Sequence, residues 1–204
     1  MLDTHARKYI QPFFDGLARL FFKLGVSPDT LTIFAFVLGL LSAVLLLAGY
    51  AAAALIILWI SGILDVTDGS LARLTRASSK WGAVMDLIFD RTVETAIIIA
   101  FAFIDPPTRL PFVFLLSSII FSFSIFLTVG ALVGKKGEKA FYYQAGLAER
   151  TETFIFFSLM FVFPYWRIFF IVIFTIMIYI TGCQRLYEAY RYFKLNTEDN
   201  LHSD

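Results

Sequence analysis

Cysteine and histidine are nearly missing from this chain. Cys183 stands alone, so no internal disulfide and no cysteine-based zinc cluster can form, and within its apolar run it reads as a small packing residue. His5 and His202 lie near opposite ends with no HxxxH spacing, which leaves no histidine metal site. Charge is scarce as well: 16% of residues are Asp, Glu, Lys or Arg, against about 25% in typical soluble domains. The first thirty residues carry scattered charges instead of a compact apolar stretch, so no cleavable signal peptide is expected. No internal repeat is visible, which argues against a twofold-repeated transporter, and no nucleic-acid partner is expected.

What fills the chain instead is apolar. Hydrophobic residues make up 59% of it, and phenylalanine alone occurs 24 times. A soluble core of 204 residues could not hide that much apolar surface, so a bilayer is the expected solvent. A membrane helix needs about 20 mostly apolar residues. Six stretches qualify, from about Leu31 to Leu47, Ala52 into the Asp65 region, Gly82 to Ile104, Pro111 to Val133, Thr151 to Phe163, and Ile168 to Tyr190. Ser27-Pro28-Asp29 reads as a helix start, with a capping hydroxyl, a first-turn proline and an early acid. Gly49, Asp105-Pro106-Pro107 and Pro164 read as breaks.

Before the first stretch, Ile10, Phe13, Phe14, Leu17, Leu20, Phe21 and Leu24 recur at helical spacing among Arg7, Lys8, Arg19 and Lys23. That pattern suits an amphipathic helix on the membrane surface, or one packed on the protein's own face. The expected fold is therefore all-α and integral to the membrane. Residues 1–26 form an N-terminal amphipathic interfacial helix, 27–194 a domain of six transmembrane helices, and 195–204 a polar tail. With six spans both termini share a side. Fifteen of the seventeen Lys and Arg fall on it, leaving only Arg109 and Arg167 opposite. Positive charge marks the cytoplasmic side, so both termini are expected there.

The informative stretch is Asp65-Val-Thr-Asp68-Gly69-Ser-Leu-Ala72-Arg73, then eight residues, then Gly82-Ala-Val-Met-Asp86-Leu-Ile-Phe-Asp90-Arg91. Helical residues three or four apart share a face. Asp65 and Asp68 therefore face one way on one helix, Asp86 and Asp90 on the next, and the short linker makes those helices antiparallel neighbours. Four converging carboxylates repel one another, and even one charge at the membrane centre costs at least about 2.5–3.5 kcal/mol. Oxygen-only ligands select hard cations such as Mg²⁺, Mn²⁺ or Ca²⁺. Two divalent ions would balance four carboxylates, and a metal pair is a common clamp for displacement at phosphorus. Gly69 and Gly82 leave bare backbone beside the acids, and Arg73 offers a fork of donors to a phosphate. The bland competitor is a salt-bridged seam, with Arg73, Arg76 and Arg91 pairing the aspartates.

The string D-x2-D-G-x2-A-R-x8-G-x3-D-x3-D resembles the signature of the CDP-alcohol phosphotransferases, integral membrane enzymes of phospholipid head-group synthesis. Every fixed position is present: Asp65, Asp68, Gly69, Ala72, Arg73, Gly82, Asp86 and Asp90. The resemblance implies two divalent cations, Mg²⁺ or Mn²⁺ with Ca²⁺ as another occupant, held by Asp65, Asp68 and Asp86, with Asp90 as further ligand and catalytic base. It implies a nucleotide site lined by Asp68, Gly69, Ala72, Arg73 and Gly82, a CDP-diacylglycerol or CDP-archaeol donor, a small polar alcohol acceptor, release of CMP, and a homodimer in contact with membrane lipid. Lys135, Arg150 and Arg185 look like the acceptor-phosphate pocket of the inositol-phosphate-using branch, although Lys135, with Lys136 and Lys139, also satisfies the positive-inside pattern. Inositol phosphate is thus the first expectation for the acceptor and glycerol 3-phosphate the second. Where relatives often carry Asn after the proline before the first span, this chain has Asp29. A divalent metal-ion transporter and a non-catalytic CDP-lipid-binding scaffold are the readings from other classes. The transporter would spread its acids through the membrane, and the scaffold would have no use for a base at Asp90.

Overall fold

A computed structural model describes residues 2–133 and 150–201. The described residues are almost entirely helical and include no strand. Seven α-helices follow in order: α1 (Leu2–Lys23), α2 (Pro28–Leu47), α3 (Ala51–Thr75), α4 (Lys80–Ile104), α5 (Arg109–Val133), α6 (Arg150–Val162) and α7 (Arg167–Leu201). Short 3-10 turns, Pro106–Thr108 and Pro164–Trp166, precede α5 and α7.

The helix ends obey local chemistry. The Thr30 amide donates to Ser27 Oγ (3.2 Å), and Pro28 opens α2 with its fixed φ. At the other end Gly49 takes φ 86°, with its N–H on Leu46 O and the Tyr50 N–H on Leu45 O, a Schellman closure that turns the chain straight into α3. Helix α4 starts two residues before the Gly82 expected from hydropathy, because Ser79 Oγ accepts from the Gly82 amide (2.8 Å) and caps it. Helix α7 runs on past Tyr190 through Leu201, so residues 195–201 continue the helix.

The chain divides into two compact units. One comprises Thr4–Arg109 with Phe161–Pro164; the other comprises Met1–Asp3, Leu110–Met160 and Tyr165–Asp204. In the first, α2 packs against both α3 and α4. Ser61 Oγ donates to Ala35 O and Ser42 Oγ to Ala54 O, both at 2.7 Å, so small polar residues stitch α2 to α3. A Cβ added to Gly39 would stand 2.5 Å from Val93 Cγ2, which shows how closely α2 and α4 approach. Phe36 stacks on Phe89 across the same pair, with centroids 4.1 Å apart. Helix α1 docks through Ala18 onto Leu31 and Leu71, while Ile10, Phe13, Leu20 and Phe22 stay exposed. In the second unit, Phe174 on α7 stacks on Phe156 of α6 (4.8 Å), and Gly182 admits the ring of Phe121 on α5.

Among the described residues, four stretches are long and apolar enough to cross a bilayer: Pro28–Leu47, Ala51–Thr75, Pro106–Leu132 and Pro164–Lys194. The apolar run Thr151–Val162 of α6 is shorter, and α4 carries Asp86, Asp90, Arg91 and Glu94 within its first fifteen residues. Large apolar side chains point outward from these helices, among them Phe103, Phe114 and Ile176. Outward phenylalanine and isoleucine are what lipid contact requires, because the apolar solvent removes the cost of exposing them.

Candidate active site

Helices α3 and α4, joined by only four residues, bring their acids together. One oxygen from each of Asp65, Asp68 and Asp86 lies within 4.8 Å of the others; Asp65 and Asp68 are buried and Asp86 is half-buried. Beside them opens a cleft of about 210 Å³ lined by α2, α3, the linker and the first turn of α4. Asp68, Gly69, Ala72, Arg73 and Gly82, all five of the expected nucleotide-site residues, line it together with Asp86. A Cβ on Gly82 would lie 3.1 Å from Ser79 Oγ and 3.4 Å from Asp29 Oδ1, so the missing side chain keeps that wall open. The amino-terminal end of α4 forms part of the lining, and its partial positive charge favours an anion there.

Arg73 and Arg91 bond elsewhere than to the four aspartates. Arg91 pairs with Glu94 one turn along α4 (2.6 Å), and Arg73 Nη2 donates to Ser70 Oγ (2.9 Å). The salt-bridged seam offered as a competitor is therefore not what Arg73 and Arg91 form. Hard, oxygen-only carboxylate ligands at this separation are a donor set that suits Mg²⁺ or Mn²⁺.

Asp90 stands one turn beyond Asp86 on α4, half-buried, and is not one of the three converging carboxylates. Of the expected acceptor residues, Lys135 lies outside the described residues, and Arg150 is the first residue of α6. Arg185 on α7 donates from Nη1 to Ser122 Oγ on α5 (3.2 Å). Sequence reasoning missed Thr32. Its hydroxyl on α2 donates to Asp68 Oδ2, is within reach of Pro28 O (3.1 Å), and lines the cleft. The available signal was a threonine one turn after Pro28 inside an otherwise apolar helix. Asp29 also lines the cleft, so the departure from the usual asparagine falls on the site itself.

Residues 25–183 match the family model described as CDP-alcohol phosphatidyltransferase. The chain belongs to that family. This CDP-alcohol phosphatidyltransferase family member is an integral membrane enzyme, a transferase of substituted phosphate groups. Among relatives, it is 33% identical over 200 residues to the inner membrane protein YnjF of Escherichia coli, covering 93% of this chain and 96% of that one. It is 31% identical over 191 residues to the archaetidylinositol phosphate synthase of Pyrococcus horikoshii, again covering 93% and 96%. Its fold is that of Mycobacterium tuberculosis phosphatidylinositol phosphate synthase. The complex of that protein with manganese and citrate matches at TM-score 0.72 and 22% identity over 87% of this chain and 88% of that one. The CDP-DAG-bound form matches at 0.70 and 24%, over 87% and 93%.

Proposed function

We propose that this chain moves a phosphatidyl or archaetidyl group from a CDP-lipid to an alcohol, with release of CMP. The observation that carries the reading is the approach of Asp65, Asp68 and Asp86 to within 4.8 Å of one another beside a cleft lined by Gly69, Ala72, Arg73 and Gly82. Asp65, Asp68 and Asp86 hold the divalent cations, Mg²⁺ or Mn²⁺, with Asp90 as a further ligand. When bound, such ions neutralise the pyrophosphate of the donor and the phosphate that leaves. Arg73 and the α4 amino terminus receive the donor's phosphates. Asp90 takes the proton from the acceptor hydroxyl. The freed oxygen bonds to the lipid-bearing phosphorus, and the bond from that phosphorus to the bridging oxygen of CMP breaks. The manganese and the CDP-DAG held in the two structures of the Mycobacterium tuberculosis relative support both the cation and the donor.

The acceptor we favour is inositol phosphate, supported by the archaetidylinositol phosphate synthase relative, with Lys135, Arg150 and Arg185 gripping its phosphate. Glycerol 3-phosphate is the second choice. The membrane arrangement we favour has α2 through α7 as six spans, α1 lying at the interface, both termini and the cleft facing the cytoplasm, and two copies forming a dimer. The metal-transporter reading gains nothing from acids gathered at one cleft. The test is purified protein in detergent given Mg²⁺ or Mn²⁺, CDP-diacylglycerol or CDP-archaeol, and a panel of acceptors. CMP release that requires both metal and one acceptor is expected. Metal flux into liposomes without CMP release under any combination would overturn the proposal.

A further inference from the structure

Arg73 reaches the cleft from a hydrogen-bonded chain that begins on α1. Asp15 Oδ1 accepts from Gln11 Nε2 (2.8 Å), and Gln11 Nε2 also donates to Ser70 Oγ (3.2 Å). Ser70, only 3% exposed, accepts in turn from Arg73 Nη2 (2.9 Å). A carboxylate can only accept, so Asp15 fixes which end of the Gln11 amide faces it. The amide then spends both its N–H groups, one on Asp15 and one on Ser70. The Ser70 oxygen takes two donors, which turns its lone pairs toward Gln11 and the guanidinium. Arg73 uses one of its five N–H groups on this hold and keeps four for the cleft. Its Nη1 lies over Gly69, where an added Cβ would stand 3.6 Å away.

We infer that Ser70, oriented by Gln11 and Asp15 of the amino-terminal helix, is a positioning residue that holds the Arg73 guanidinium in the donor cleft. The inference rests on Arg73 meeting the donor phosphates, as proposed above. Its physical sense lies in what an untethered Arg73 would do. A long cation five residues beyond Asp68 on the same helix would swing toward the carboxylates and compete with divalent cations for them. Ser70 and Gln11 offer it a neutral oxygen instead. The arrangement also couples α1 to the cleft, since the seat of α1 on α3 decides whether Gln11 reaches Ser70.

The test measures donor KM, acceptor KM, kcat and CDP-lipid dissociation constant for Gln11→Ala, Ser70→Ala and Arg73→Ala, and for each of the first two combined with Arg73→Ala, all in the full chain in nanodiscs. Gln11→Ala and Ser70→Ala should each raise the donor KM and dissociation constant by about three- to tenfold, the range of one ordinary net hydrogen bond. Acceptor KM should not move, and kcat should stay within about twofold. In the Arg73→Ala background both substitutions should become silent, because they act only through that side chain. A merely structural Ser70 would cost the same with or without Arg73, and that result would overturn the inference, as would single variants indistinguishable from wild type. If the wild-type chain neither binds CDP-lipid nor releases CMP, the parent reading falls first and takes this one with it.

Discussion

Helix α4 meets the same problem at its two ends and solves it differently. Near its start, Asp86 joins Asp65 and Asp68, three carboxylates within 4.8 Å of one another, of which Asp68 and Asp86 line the cleft. About 24 Å along the axis, its last turn leaves carbonyls that no later helical amide can reach. There Arg109 returns after the 3-10 turn and donates from Nε to Ala102 O (3.0 Å), while Thr108 Oγ1 closes on Asp105 O (2.7 Å). The end of α6 repeats the device: Arg167, again seven residues on and past a proline turn, donates to Met160 O (3.1 Å). Both arginines cap the third-last carbonyl of their helix, where a cation also meets the negative end of the helix dipole. One end of α4 spends its charge on its own backbone. The other gathers carboxylates of one sign, a donor set that suits a ligand of opposite sign. Polar groups inside an apolar solvent are either consumed by the fold or held for function, and the sign balance tells which.

The sharpest way to break that contrast is to remove a carboxylate from the gathering end. Asp68→Asn should lower CMP release by at least about 10²–10³-fold, the scale for losing one charge-stabilising group in a reacting site. It should also abolish the rise in melting temperature that Mn²⁺ gives the wild-type protein, because a ligand stabilises only the state it binds. Without metal the same variant should melt no lower than wild type, since one of three mutually repelling charges is gone. A variant that lost stability in metal-free buffer would mean that Asp68 is structural. Next in size, Asp90→Asn should reduce turnover by about 10²–10⁴-fold, the contribution of a positioned base, while leaving most CDP-lipid binding in place. Equal losses in binding and turnover would move Asp90 from proton transfer to the donor grip.

How much of this could be read from the residues alone divides along the same line. Three of the four acids were legible, because spacing on a helix puts Asp65 and Asp68 on one face and the linker to Asp86 is too short for anything but antiparallel neighbours; Asp90, one turn further on, stands outside that group. The breaks at Ser27-Pro28, Gly49, Pro106 and Pro164 were legible because each residue type forces its own backbone geometry. The arginine caps were not. Arg109 and Arg167 were the two cations left off the cytoplasmic side, and nothing in a 3.6-residue period says that a side chain will fold back seven residues across a turn. Thr32 escaped for the same reason, since its partner Asp68 belongs to another helix. The α4 start at Lys80 was missed because a serine hydroxyl, not hydropathy, sets it. The continuation of α7 through Leu201 was missed because polarity was read as a tail, although that stretch carries good helix formers in Arg191, Lys194, Leu195 and Glu198.

The capped end gives the third prediction, smaller than the first two. Arg109→Ala should lower stability by about 0.5–1.5 kcal/mol, one cap hydrogen bond, with kcat and both KM values unchanged. A change in donor KM would show that the far end of α4 sets the geometry of the near end, and the contrast would collapse into a single coupled element. Arg167→Ala should behave alike if the two corners are one device.

The smallest effect separates backbone strain from chemistry at the mouth of the cleft. Helix α3 ends on the same Schellman closure as α2, with the Ala77 N–H on Ala72 O (3.0 Å), but the residue in the left-handed position is Arg76 at φ 53°. No other non-glycine residue among the described ones has positive φ. A side chain there carries a cost that glycine avoids. Arg76→Gly should therefore raise stability by about 0.5–1 kcal/mol, even though glycine usually loses by its larger freedom when unfolded. Ala77, Ser78 and Ser79, which follow immediately, line the cleft. If the gain in melting temperature comes with an unchanged donor KM, the strain at Arg76 is local. If the donor KM rises, the strained turn is part of how the linker is held against the donor, and Arg76 is retained for that geometry at the expense of stability.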